Sequence, residues 1–135
     1  MKTNRVLHVS TSLVGMAVAF WLGTALGQQS PPADNKGLNV GQTLVNDLGP
    51  QFAGYQLRLR KLTFEPGGVA GIHSHKERPA FAYILQGTLT EGREGGYVKE
   101  YKEGDVIVES RDVTHWAENK TGKPVVLVGV DVVKP

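Results

Sequence analysis

Three histidines, His73, His75 and His115, are the residues of this chain best suited to chemistry. Neutral imidazole is the commonest protein ligand for transition metals. His73 and His75 lie two apart in a stretch that reads as a strand, so period-two alternation turns both to one face. His115 opens a later strand just past a turn, where it can meet the other two across a barrel interior. Three imidazoles on a rigid scaffold leave further coordination positions open for water or substrate. A lone His-x-His pair is more simply a half-buried or surface strand pair. The context of His115 is therefore what makes the pair a candidate site.

The elements that must position these side chains are short strands. Runs rich in Val, Ile, Leu, Tyr and Phe recur at 55–64, 69–74, 81–86, 88–93, 97–101, 106–109, 115–118 and 125–133, punctuated by E-P-G-G, K-E-R-P, E-G-G, E-G-D, R-D and K-T-G-K-P. With 135 residues, 17 Gly and 7 Pro, the chain has room for one all-β domain, a small sandwich or barrel, and almost none for helices. Residues 52–135 are the expected barrel. Residues 28–51 read as a flexible polar arm with one short strand around Thr43–Val45. Cysteine is absent, which excludes disulfides, thiolate metal sites and cysteine nucleophiles.

Residues 1–27 have a basic head (Lys2, Arg5), an apolar stretch densest at 13–23 and the small residues Ala25 and Gly27 before Q-Q-S-P-P. That is a signal-peptide pattern, with cleavage expected after Gly27. It predicts an exported protein, periplasmic in a Gram-negative source, with no further membrane contact. The alternative is an uncleaved inner-membrane anchor, since 6–26 is long enough to span, though His8, Ser10, Thr11 and Ser12 interrupt it. Without Lys2 and Arg5, 13 of the 15 basic residues face 13 acidic ones. A neutral chain with scattered signs offers no stripe for a phosphate backbone, so nucleic acid is not an expected partner.

Pro66-Gly67, five residues, His73-Ser74-His75 and then the run to Gly87 resemble the first motif of the cupin family. Gly104-Asp105, Ser110-Arg111-Asp112, His115 and Asn119 resemble the second, and the 16 residues 88–103 between them suit a compact single-domain cupin. The resemblance covers about half the chain. It implies a double-stranded β-helix, or jelly-roll barrel, whose histidines hold one divalent transition metal such as Fe, Mn, Ni or Zn. In the family pattern a Glu follows the second His, and counting back from Gly87 puts that position at Ala80. The usual carboxylate ligand is thus missing, and Ser110 and Asp112 stand where Pro and Gly are usual. A neutral three-His set favours an anionic or oxygen-donor ligand directly on the ion.

Glu77 is the candidate substitute carboxylate, but K-E-R-P reads as a loop, where it would be a solvated side chain or a partner of Arg78. Gln86 and Asn119 are candidates for support around the site, with a turn role the simpler reading of Asn119. Phe81, Tyr83 and Trp116 read as core or interface packing rather than pocket walls. No general acid or base stands out beside the histidines, so no reaction is named. The leading expectation is a metal-dependent enzyme, dioxygenase-like or isomerase-like, acting on a small organic molecule. Its rival is a non-catalytic binding or sensory module. The last run, P-V-V-L-V-G-V-D-V-V, is apolar on both faces, which predicts a homodimer.

Overall fold

A computed structural model describes residues 30–135. The expected signal peptide, 1–27, and its anchor alternative lie outside the described residues. Among the described residues no helix is long and apolar enough to cross a membrane.

Eight antiparallel strands form one nearly closed barrel: β1 Lys36–Asp47, β2 Gln56–Ser74, β3 Ala80–Gln86, β4 Thr88–Arg93, β5 Tyr97–Lys102, β6 Val106–Glu109, β7 Thr114–Glu118 and β8 Val125–Val133. Their order in the sheet is β5-β4-β7-β2-β8-β3-β6, with β1 paired to β2. Inward positions repeat every second residue: Ala80, Ala82 and Ile84 on β3, Val125 and Leu127 on β8, Leu89 on β4 and Ile107 on β6 are all buried. With Phe64, Ala70, Tyr101 and Ala117 they enclose the apolar core.

Two sequence expectations change. The runs at 55–64 and 69–74 are one strand of 19 residues, because E-P-G-G marks an exchange of partners and not an end. β2 pairs with β8 as far as Phe64↔Val125 and with β7 from Val69↔Glu118. Pro66, which has no N–H to give a ladder, falls in that gap. The segment expected as a flexible arm contains twelve residues of strand, well beyond Thr43–Val45. Its polar residues hid it, yet β1 pairs along the length of β2 from Lys36↔Val69 to Asp47↔Gln56, and Leu38 packs against the core.

Candidate metal centre

The two halves of the histidine set come from neighbouring strands. His73 on β2 lies directly across from His115 on β7, and His75 follows immediately after β2. Between Ala70↔Ala117 and His73↔His115, β2 carries one residue more than β7. This bulge at Gly71-Ile72 re-aims the strand, so that Ala70, three residues before His73, lines the same cavity as His73 and His75. It also frees backbone groups for new partners: the Gly71 N–H donates to Asn35 Oδ1 at 2.9 Å and that of Ile72 to the Pro32 carbonyl at 2.7 Å. Gly71 is required here, because a β-carbon would strike the Ala33 backbone.

Each imidazole is oriented through Nδ1. The His73 Nδ1–H donates to the Gly71 carbonyl at 2.7 Å, that of His75 to the Arg78 carbonyl at 3.0 Å, and that of His115 to Glu91 Oε1 at 2.8 Å. Carbonyl and carboxylate oxygens only accept, which puts a proton on Nδ1 in all three rings and, in a neutral ring, leaves the lone pair on Nε2. The Nε2 atoms converge, His75 to His115 at 3.0 Å and His115 to His73 at 3.1 Å. Burial lowers the pKa of His73, and it lowers that of His75 to about 4, so both are neutral at pH 7.

That donor set fits a metal ion. Converging Nε2 lone pairs repel unless a cation lies among them. Nitrogens bound at about 2.1 Å and at right angles stand about 3.0 Å apart, close to the spacing found here. His73, His75 and His115 would hold the ion, and an ion there would supply Lewis acidity or oxygen activation.

Carboxylates surround the set. Glu91 is fully buried and also accepts from Arg93 Nε at 2.9 Å. Burial alone would raise its pKa, but the hydrogen bonds from His115 and Arg93 outweigh that and hold it below the usual range. Glu109 stands with Oε2 3.5 Å from His75 Nε2 and Oε1 3.6 Å from His115 Nε2, and burial pushes its carboxyl upward. The histidines, Glu109, Arg60, Arg78 and Asp131 line one cavity of about 440 Å³. Arg58 grips Asp131 with two bonds of 3.0 and 2.7 Å, and Arg60 adds a third at 3.2 Å. Among the described residues, Arg60 Nε is buried without a partner.

Residues 60–133 match the family model for the cupin domain, more than half of the chain. The chain belongs to the cupin family. Relatives of this cupin include the auxin-binding proteins ABP19a and ABP19b of Prunus persica, each 30% identical over 79 and 81 residues respectively. The matches cover 56% and 57% of this chain but 38% and 39% of those proteins, so this cupin spans about two-fifths of their length. A double-stranded β-helix protein of Klebsiella pneumoniae has the same fold, with TM-score 0.55 and 20% identity over 69% of this chain and 72% of that one. KdgF from Halomonas sp. gives 0.53 and 20% over 68% and 87%. A predicted oxalate decarboxylase of Thermotoga maritima gives 0.54 and 19% over 77% and 94%. At these identities the likeness is one of fold.

Of the residues singled out from sequence, this cupin brings His73, His75 and His115 together. Glu77 is exposed in the turn after His75 and takes no part in that group. Ala80 is buried and lines the cavity. Gln86 is exposed, and Asn119 is buried away from the histidines, its Nδ2 donating to the carbonyls of Phe64, Glu65 and Lys123. Neither supports the site. Phe81 and Tyr83 point outward, and Trp116 packs on Gly92, where a β-carbon would overlap its ring. Sequence reading missed Glu91, Glu109 and Asp131, which share the inward phase of Leu89, Ile107 and Leu127 on their strands. A carboxylate in the buried phase of an otherwise apolar strand was the available signal.

Proposed function

We propose that this cupin is an exported protein that binds one divalent transition metal, Fe, Mn, Ni or Zn, through His73, His75 and His115 and acts on a small organic molecule held on the ion. The observation that carries the reading is the convergence of three Nε2 atoms, each ring fixed by its own acceptor, on the wall of a cavity large enough for a small ligand. The unpartnered Nε of Arg60 on the same cavity favours a ligand with an anionic oxygen. Relatives named for auxin and for oxalate agree with a small organic molecule as the ligand class. Export rests on the pattern of residues 1–27.

The test begins with elemental analysis of untagged protein, expected to show one metal per chain. Protein loaded with each of the four ions is then screened for oxygen consumption and for conversion of small organic acids. Conversion that depends on His115 supports an enzyme. Ligand binding at the metal without conversion makes the protein a binding module instead. Absence of metal in all preparations, and failure to load any, overturns the reading. Intact mass lacking residues 1–27 in the exported fraction checks the compartment.

A further inference from the structure

We infer that Glu109 is a ligand of the metal and supplies, from β6, the carboxylate that position 80 of β3 lacks. The inference rests on the three-histidine reading and adds a fourth donor to it. Ala80 and Glu109 are direct partners in the β3–β6 pair. Side chains opposite each other across a ladder start about 5 Å apart, so a carboxylate moved one strand sideways still reaches the same point in the barrel. The methyl group of Ala80 leaves that space open, and both residues line the cavity that holds the histidines.

The direction of Glu109 is set by the strand. It shares the phase of Ile107, which is buried in the core, so its side chain points into the barrel and is only 12% exposed. Its two oxygens are each turned to a different imidazole, Oε2 to His75 at 3.5 Å and Oε1 to His115 at 3.6 Å. These distances are too long for hydrogen bonds. Three imidazole nitrogens and a carboxylate thus converge on one space in the cavity, an arrangement that a divalent cation satisfies. Glu91 does not compete for this role. Its Oε1 is held by the His115 Nδ1–H and by Arg93, on the far side of the His115 ring from the Nε2 atoms.

A donor at 109 changes the charge of the site. Three imidazoles leave a divalent ion at its full charge, whereas Glu109 lowers the site to a single net positive charge. A carboxylate also favours first-row divalent ions such as Mn(II) and Fe(II), which prefer oxygen more than Cu(I) does.

The experiment measures the metal alone. Co(II) and Zn(II) are titrated into metal-free full-length protein, with the Co(II) visible spectrum and chelator competition for Zn(II) as readouts. Glu109→Gln keeps the shape of the side chain and is expected to weaken Zn(II) binding about 10-fold or more and to change the Co(II) spectrum. In the unmodified protein, the infrared difference spectrum on adding Zn(II) is expected to show a shifted carboxylate stretch, a readout that needs no variant to fold. His115→Ala is the control for the histidine site. Unchanged affinity and spectrum in Glu109→Gln, with binding lost in His115→Ala, would overturn the inference and leave the three-histidine reading standing. No carboxylate shift in the unmodified protein on Zn(II) binding would overturn it in the same way. No binding of either ion by the unmodified protein would bring down both.

Discussion

Glu91 and His115 are joined by a 2.8 Å hydrogen bond between two nearly fully buried side chains on adjacent strands, β4 and β7. The carboxylate fixes the ring so that Nε2, and not Nδ1, faces His73 and His75. Glu91→Gln replaces an ionic acceptor by an amide and is expected to lower metal affinity about 10-fold to 100-fold. His115→Ala should abolish retention, and Glu77→Gln, altering an exposed turn residue, should leave it within about twofold. Elemental analysis after dialysis against a weak chelator ranks the three. Retention in His115→Ala with loss in Glu77→Gln would place the site on other residues.

Asp131 couples stability to acid. Burial alone would raise its pKa, but the hydrogen bond from Arg58 and the charges of Arg60 and Arg78 outweigh it, so its folded pKa lies below the unfolded value of about 3.8. A depressed carboxylate contributes stability that is fully present above the unfolded pKa and is lost as pH falls through the folded one. Asp131→Asn should cost about 2–3 kcal/mol at pH 7, less than a fully buried pair because the guanidiniums of Arg58 and Arg60 keep about a quarter of their surface exposed. The gap from wild type should narrow as pH drops from 5 towards 2. Urea unfolding at several pH values measures it, and a gap that does not change with pH would contradict the assignment.

Asn119 ties the loop before β8 to the point where β2 changes partner. Its Nδ2 donates to Phe64, Glu65 and Lys123 carbonyls at 2.8–3.0 Å, and its Oδ1 accepts from the Thr121 N–H and hydroxyl. Asn119→Ala removes all five of these bonds, one of them fully buried, and should cost about 2–3 kcal/mol. Metal affinity of the folded protein should not change, because none of these contacts reaches the histidines.

On the outer face, Phe81 and Tyr83 of β3 lie opposite Val108 and Val106 of β6 and Val130 and Val128 of β8. Phe81 is 58% exposed, and its β6 neighbours nearly half exposed. We propose that a second copy of the chain covers this face. Phe81→Glu should then yield a monomer by sedimentation equilibrium. A wild-type protein that is monomeric at tens of micromolar would refute the pairing.

Much of this was legible because alternation in short strands is a strong signal: 88–93, 106–109 and 125–133 are strands to the residue. The histidines were legible because type, spacing and motif agree. β1 was not, since polar residues and two glycines break up its pattern and its reason to be a strand is pairing with β2, a contact distant in sequence. The inward carboxylates drew no reading from the sequence, although each stands in the buried phase of its strand. Glu91, Glu109 and Asp131 each have partners that only the closed barrel supplies. The bulge at Gly71-Ile72 depends on a register offset between β2 and β7, which has no local signature.

The sequence separation inside the site has a consequence for folding. His115 is 42 residues from His73, 40 from His75 and 24 from Glu91. An unfolded chain keeps only the His-x-His pair, a two-point chelator, so an ion held by the three histidines would bind chiefly to the closed barrel and its binding energy would become folding energy. At one hundred times its dissociation constant an ion adds about 2.7 kcal/mol to the native state, a rise of roughly 10 °C or more in the melting temperature of a domain this size. The melting curve therefore ranks Fe, Mn, Ni and Zn as partners before any substrate is known.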